Sequence, residues 1–203
     1  MLVLTDPGLA APRSVTEVVE AVLEAGVGAI QLRDKTATAR ELHAQAVALL
    51  ALTRRHDALL FVNDRVDVAL AAGADGAHLG PSDLSVAGAR LVVPPHFLLG
   101  YSCDDPVQAR AAMADGADYI GCGAVFGTTS KDVGGEAIGL ERLDAVARAV
   151  AGPTVAIGGI DDRNVHGVVA TRATGVAVVS SVMAAPDPGA TAKRLLAAFA
   201  HRD

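Results

Sequence analysis

Short apolar runs alternate along the chain with longer stretches in which apolar residues recur every three or four positions. The short runs predict eight β-strands, at residues 2–5, 29–33, 59–63, 76–79, 97–102, 119–123, 154–157 and 176–180. The longer stretches predict eight helices, at residues 14–24, 39–55, 66–72, 86–91, 107–115, 140–150, 163–170 and 190–200. Nearly continuous apolar strands are typical of a parallel sheet that helices cover.

Eight strand-then-helix units with short connections predict an α/β fold, a single (β/α)8 TIM barrel that occupies residues 1–203. The structural alternative is an open, doubly wound sheet. Such sheets often carry a Gly-x-Gly-x-x-Gly motif after the first strand, and this sequence has none there. Since no linker or low-complexity segment interrupts the chain, we expect one domain.

Composition and charge narrow the classes of function. Hydrophobic residues make up 51% and charged residues 20% of the chain, as in ordinary globular proteins. The net charge of -6 argues against a nucleic-acid or anionic-membrane surface, but not against small anionic substrates. The two cysteines, Cys103 and Cys122, are expected to be reduced thiols. With no signal peptide or membrane span recognised, the expected location is cytoplasmic; a homodimer is left open.

Polar residues and a glycine stand where the predicted strands end. They are Gln31, Arg33, Asn63, His78, Ser102, Gly158 and Ser180. In a closed barrel the carboxyl ends of the strands converge on one face, which carries the active site in TIM-barrel enzymes. Any one of these residues could instead cap a helix. All seven on one face predict an active site there.

The end of the second strand carries a group suited to an anion. Alternation along the strand places Gln31 and Arg33 on the same side, and Lys35 follows shortly after. A guanidinium grips phosphate through two parallel hydrogen bonds, and a lysine adds a mobile positive charge. The alternative is that Arg33 pairs with a carboxylate from a neighbouring strand.

Two carboxylates follow the third and fourth strands. Asp64 and Asp83 would lie on neighbouring loops beside the cations, a set that suits Mg²⁺ because this ion completes its shell from substrate phosphates. The alternative for each is a helix N-cap, before residues 65–72 for Asp64 and before residues 84–91 for Asp83. Asp67 is expected to face solvent or to pair with a neighbouring arginine.

Two later loops also suit anions. Residues 126–135 combine hydroxyls, a lysine and glycines, which predicts a mobile anion-binding lid, with an ordinary surface loop as the alternative. Gly158 and Gly159 end the seventh strand, and Ser180 ends the eighth. Barrels frequently bind a phosphate between these two loops through backbone N–H groups.

Five motifs, taken together, resemble those of thiamine phosphate synthases in order and over nearly the whole chain. They are QLRDK at 31–35, VNDRVDVA at 62–69, GADGAHLG at 73–80, FGTTSK at 126–131 and VAIGGI at 155–160. The resemblance implies an enzyme that joins 4-amino-5-hydroxymethyl-2-methylpyrimidine diphosphate to a thiazole phosphate. Its partners would be these small molecules, and its cofactor Mg²⁺.

The resemblance also implies a role for each matching residue. The pyrimidine diphosphate would contact Gln31, Arg33, Lys35, Asn63 and Lys131, with Asp64 and Asp83 on Mg²⁺ and Ser102 near the pyrimidine. The thiazole phosphate would contact Thr128, Thr129, Ser130, Gly158, Gly159, Val179 and Ser180. Lys131, Arg33 and Ser102 are the residues expected to act in catalysis.

Three positions depart from the family pattern, with Gly127 in place of proline, Pro81 in place of glutamine and Asp104 in place of histidine. The last bears on the main alternative, a thiazole tautomerase of the same barrel family, to which a histidine in that loop gives acid–base catalysis. A second alternative, a non-catalytic phosphate-binding barrel, has no need of paired carboxylates beside Arg33 and Lys35.

Overall fold

A computed structural model describes residues 1–127 and 137–200, and its strands form one closed barrel. All neighbouring strands are parallel and follow one another in chain order, from β1 next to β2 round to β8 next to β1. The strands are β1 (Leu2–Leu4), β2 (Ala29–Leu32), β3 (Leu59–Asn63), β4 (Gly76–Leu79), β5 (Leu98–Ser102), β6 (Tyr119–Cys122), β7 (Thr154–Ile157) and β8 (Gly175–Val178). The predicted TIM barrel is confirmed.

Helices connect the strands on the outside of the barrel. They are α1 (Pro7–Ala10), α2 (Val15–Glu24), α3 (Ala39–Arg55), α4 (Val66–Ala72), α5 (Val86–Arg90), α6 (Pro106–Ala114), α7 (Gly139–Ala149), α8 (Val165–Val169), α9 (Ser180–Met183) and α10 (Pro188–Ala200). None of the helices in the described ranges is long and apolar enough to cross a membrane.

Two of these helices, α1 and α9, were not predicted from the sequence. Each has only four residues, which is too short to show a helical period. In α1, the Asp6 side chain accepts a hydrogen bond from the Leu9 N–H, and Pro7 occupies the first turn. In α9, Ser180 begins the helix, so the prediction that Ser180 ends the eighth strand is wrong by two residues.

Local signals explain where the longer helices begin and end. Ser14 and Thr38 each form a capping box with a glutamate three residues later, at the starts of α2 and α3. Gly73 ends α4 in the left-handed conformation, which glycine adopts without strain. The apolar faces of the helices then cover the outward-facing residues of the strands.

The inside of the barrel is filled by a second set of residues from the same strands. Leu2, Leu4, Phe61, Tyr119 and Ala177 form an inner cluster that is separate from the layer beneath the helices. Large and small inward positions complement one another across strands. At Gly76, for example, a Cβ atom would lie only 2.7 Å from the ring of Phe61 on the neighbouring strand. The inner packing therefore ends just below the carboxyl ends of the strands, where polar residues begin.

Candidate active site

The barrel mouth collects the polar residues that end the strands. Gln31, Asn63, His78 and Ser102 line one small cavity of about 20 Å³ inside the barrel, together with Tyr119 and Gly121. Gln31 is only 2% exposed, and its Oε1 atom is buried without a hydrogen-bond partner in the part of the chain that the structure describes. A buried acceptor without a hydrogen bond lowers the stability of the folded protein. It is therefore a candidate contact for a ligand that brings a donor.

Arg33, just beyond β2, is buried and held from two sides. Its Nη1 atom lies 3.6 Å from Oδ2 of Asp6, which follows the neighbouring strand β1. The Thr5 hydroxyl accepts from the Arg33 N–H at 2.8 Å and donates to the Arg33 carbonyl at 3.1 Å. The pairing of Arg33 with a neighbouring-strand carboxylate, which the sequence left as an alternative, is thus present. A guanidinium has five N–H donors, so one carboxylate does not exhaust it.

Lys35 is exposed and stands in a loop that Asp34 pins to the barrel. The Asp34 carboxylate accepts hydrogen bonds from the backbone N–H groups of Thr36 and Ala37 at 3.0 and 3.1 Å and from Gln45 Nε2 at 2.9 Å. Burial acts in the opposite direction, but the hydrogen bonds from Gln45 and Thr36 keep the pKa of Asp34 below its usual value. The ionised Asp34 therefore fixes the loop that presents Lys35.

Asp64 and Asp83 lie side by side. Although Asp64 is an exposed residue, partial desolvation raises the pKa of its carboxyl group to about 6, with contributions from its hydrogen bond to Asp83 and from the charge of that group. The charges of Lys35 and Arg33 act in the opposite direction. The carboxylates and cations predicted from the sequence therefore interact with one another at one rim of the barrel. A cavity of about 330 Å³ lies there, and Lys35, Asn63 and Asp64 help to line it.

The helix-capping alternatives for these two aspartates are wrong. Helix α4 has Arg65 at its N-cap position without a side-chain cap, and α5 is capped by the Ser85 hydroxyl. Asp64 instead adopts a left-handed backbone with φ 64°, and Asp83 accepts from the Gly80 N–H at 2.6 Å. Neither carboxylate is therefore used as a helix cap.

The surroundings of the two carboxylates fit a magnesium ion better than a zinc ion. In residues 1–127 and 137–200 no cluster of three or more His, Cys, Asp or Glu side chains could enclose a metal. Mg²⁺ needs no such enclosure, because one or two carboxylates suffice when water and substrate phosphates supply the other ligands. Asp67, by contrast, is tied to Arg65 by hydrogen bonds of 2.8 and 2.6 Å, as expected for a surface pair.

A second cavity, of about 600 Å³, opens at the ends of β7 and β8. Gly159, Ser180 and Ser181 contribute to its lining, and the Ser181 Oγ is a buried atom without a partner among the described residues. Gly158 and Gly159 have φ angles of 101° and 64°, and a Cβ atom on Gly159 would lie 2.4 Å from the Gly127 carbonyl oxygen. Only glycine suits this close approach.

Four of the predicted site residues, Thr128, Thr129, Ser130 and Lys131, lie outside the described residues. Their roles, and the predicted lid, stay predictions. Conversely, sequence reasoning gave no role to Asp6 or Tyr119. A signal for Tyr119 did exist, since alternation along β6 places it on the same side as Gly121, facing the barrel interior.

Comparisons with known proteins agree on one family. The family described as thiamine monophosphate synthase matches residues 1–182. A thiamine-phosphate synthase of Roseiflexus sp. (strain RS-1) is 46% identical over 198 residues, which cover 98% of this chain and 84% of the relative. That of Methanoculleus marisnigri is 45% identical over 96% of this chain and 92% of its own length.

Solved structures agree as well. A thiamine phosphate pyrophosphorylase from Pyrococcus furiosus superposes with a TM-score of 0.89 at 41% identity, covering 98% of this chain and 94% of its own. A 3-hexulose-6-phosphate synthase, at 22% identity and a TM-score of 0.70, shares the fold alone.

Proposed function

Because this chain belongs to the thiamine monophosphate synthase family, we propose that it joins 4-amino-5-hydroxymethyl-2-methylpyrimidine diphosphate to 4-methyl-5-(2-phosphoethyl)thiazole and releases diphosphate. The observation that carries the proposal is the adjoining pair Asp64 and Asp83 beside Arg33 and Lys35 at one rim of the barrel. Such a mixed cluster of carboxylates and cations suits a metal-bound diphosphate. A barrel that only binds a simple phosphate does not need this cluster of carboxylates and cations.

The diphosphate end of the substrate would lie between these two pairs. Asp6 orients the Arg33 guanidinium and Thr5 fixes the Arg33 backbone, so the remaining donors of the guanidinium can hold a phosphate with little loss of side-chain freedom. Lys35 adds a charge from the rim. Asp64 and Asp83 would hold Mg²⁺, which when bound neutralises charge on the departing diphosphate.

The pyrimidine would enter the barrel mouth. Gln31, Asn63 and Ser102 line that cavity. Oε1 of Gln31, which has no hydrogen-bond partner among the described residues, would accept a hydrogen bond from the amino group of the pyrimidine. The thiazole phosphate would occupy the second cavity, near Gly158, Gly159, Val179 and Ser180. Thr128, Thr129, Ser130 and Lys131 complete the proposed contacts by family resemblance alone.

The reaction balances without a protein nucleophile. The bond between the pyrimidinylmethyl carbon and the diphosphate oxygen breaks, and diphosphate leaves with the electron pair. The thiazole nitrogen then donates its lone pair to the same carbon and becomes a positively charged thiazolium, with no proton lost. The protein stabilises charge on the leaving group and holds the two reacting atoms close together.

Steady-state assays with purified protein test this proposal. We expect thiamine phosphate and diphosphate to form in equal amounts only when both substrates and Mg²⁺ are present. Conversion of the thiazole phosphate alone into a tautomer, with no joined product, would instead support the tautomerase alternative. In this structure Asp104, the residue that would have to replace the tautomerase histidine, is exposed and does not line the barrel-mouth cavity.

A further inference from the structure

A chain of hydrogen bonds crosses the inside of the barrel beneath the mouth. Ser102 Oγ lies 2.7 Å from His78 Nε2, and His78 Nδ1 lies 2.9 Å from the Tyr119 hydroxyl. Gln31 lines the same cavity as the phenol. Ser102, His78 and Tyr119 stand on β5, β4 and β6, so the chain of hydrogen bonds joins three neighbouring strands. We call it the Ser102–Tyr119 relay.

The barrel interior is shaped to hold this relay. A Cβ atom at Gly100 would lie 2.2 Å from the Tyr119 ring and 2.5 Å from His78 Nδ1. One at Gly121 would lie 2.9 Å from the imidazole ring of His78. Because both glycines occupy inward positions of neighbouring strands, the space that they leave is what the imidazole and the phenol fill. Two neighbouring strands thus have glycine at the positions where a larger residue would displace this polar contact.

The directions of these hydrogen bonds depend on the tautomer of His78. Burial raises the pKa of the Tyr119 phenol, so at neutral pH the phenol keeps its proton and can donate it. The phenol has one proton to donate, and its oxygen lies 2.9 Å from His78 Nδ1.

Once Nδ1 accepts, the tautomer of a neutral His78 is determined. Its proton must be on Nε2, which then donates to Ser102 Oγ. The hydroxyl proton of Ser102 is not needed for that contact. Ser102 is half-buried and lines the mouth cavity, so its proton can be directed at a molecule that occupies this cavity.

We propose that Tyr119 is a positioning residue that holds His78 in the Nε2–H tautomer and so makes Ser102 a hydrogen-bond donor toward the bound substrate. The proposal goes beyond a packing role for Tyr119, whose ring also meets Phe61 edge-on at 5.5 Å. Its effect on catalysis rests on the proposed function. Its effect on the His78 tautomer does not.

Nitrogen-15 NMR of the ligand-free protein tests the tautomer directly. We expect His78 to show a protonated Nε2 and an unprotonated Nδ1. Tyr119→Phe keeps the ring and its contact with Phe61 but removes the proton donor, so the Nδ1 resonance should move toward the protonated position. Tyr101→Phe is the matched control, because Tyr101 precedes Ser102 on β5 and faces the other side of the strand.

Steady-state kinetics provide the second measurement. Tyr119→Phe should lower kcat/KM for the pyrimidine diphosphate by about tenfold, the scale of one hydrogen bond, and leave KM for the thiazole phosphate unchanged. His78→Gln, which can still donate to Ser102, should retain more activity than His78→Leu.

Two results would overturn the proposal: an Nδ1–H tautomer in the wild-type protein, or unchanged spectra and kinetics in a folded Tyr119→Phe. A wild-type protein without turnover that still showed the Nε2–H tautomer would refute the proposed function and leave the relay standing.

Discussion

Replacing Asp64 by Asn should stabilise the metal-free protein and abolish its response to Mg²⁺. Desolvation of the Asp64 carboxylate and, next, the adjoining charge of Asp83 raise the free energy of the folded state at neutral pH. Asn removes one charge and can donate its amide N–H to the remaining carboxylate. Asn also tolerates the left-handed backbone found at this position, where φ is 64°.

The size of the effect follows from the pKa of Asp64. Folding raises it from 3.8 to about 6, and a shift of that size corresponds to about 3 kcal/mol at most. The Asp64 side chain is exposed, so solvent screening reduces the expected gain to about 1 kcal/mol. For a chain of this length that is a rise in Tm of about 2–4 °C.

The pH dependence of this gain has a definite sign. A carboxyl group whose pKa is raised by folding holds its proton more tightly in the native state. Native stability therefore falls as the pH rises from about 4 through about 6, because the folded protein must then give up that proton. The gain from Asp64→Asn should accordingly be full at pH 8 and smaller at pH 5.

Calorimetry or thermal scans with EDTA and with Mg²⁺ would measure both effects. Asp67→Asn is the matched control, since Asp67 is an exposed neighbour paired with Arg65; it should keep the wild-type response to Mg²⁺. The reasoning is refuted if Asp64→Asn lowers Tm in EDTA and its Tm still rises with Mg²⁺. Asp64 would then be a structural residue rather than half of a charge pair.

Two further predictions concern the interior. Gly100→Ala should lower the free energy of unfolding by about 2 kcal/mol or more, because the new Cβ would lie 2.2 Å from the ring of Tyr119. In the same denaturant titration Gly28→Ala should be nearly neutral, because no atom of the described residues lies within 4 Å of the new Cβ. Burial raises the pKa of Cys103 to about 11 and of Cys122 to about 12. Both thiols should resist a disulfide reagent at pH 8 in native protein and react in denaturant, and rapid native labelling would contradict this.

The barrel could be predicted from sequence because its strands are buried on both faces. Runs such as the one in β3 (Leu59–Asn63) must then be apolar almost throughout, and they contrast with the amphipathic helices between them. The four-residue helices α1 and α9 could not be predicted, since one helical turn leaves no period to detect. The convergence of Gln31, Asn63 and Ser102 followed from the fold alone.

The register between strands could not be predicted from the sequence. The pairing of Leu4 with Gln31 across β1 and β2 places Asp6 beside Arg33, and nothing local to either strand indicates that contact. Likewise, Tyr119 meets His78 only because glycines at two inward positions leave room for both rings. The first contact depends on two strands at once, and the second depends on three, β4, β5 and β6. Local patterns predict the positions of polar groups but not their partners.

A crystal structure of the protein with Mg²⁺, diphosphate and thiamine phosphate tests the central claim most directly. The account predicts diphosphate between Arg33 and Lys35, the metal ion on Asp64 and Asp83, and the product's phosphate at the ends of β7 and β8, beside Gly158 and Ser180. A metal ion bound away from both aspartates, or products at the opposite end of the barrel, would contradict it.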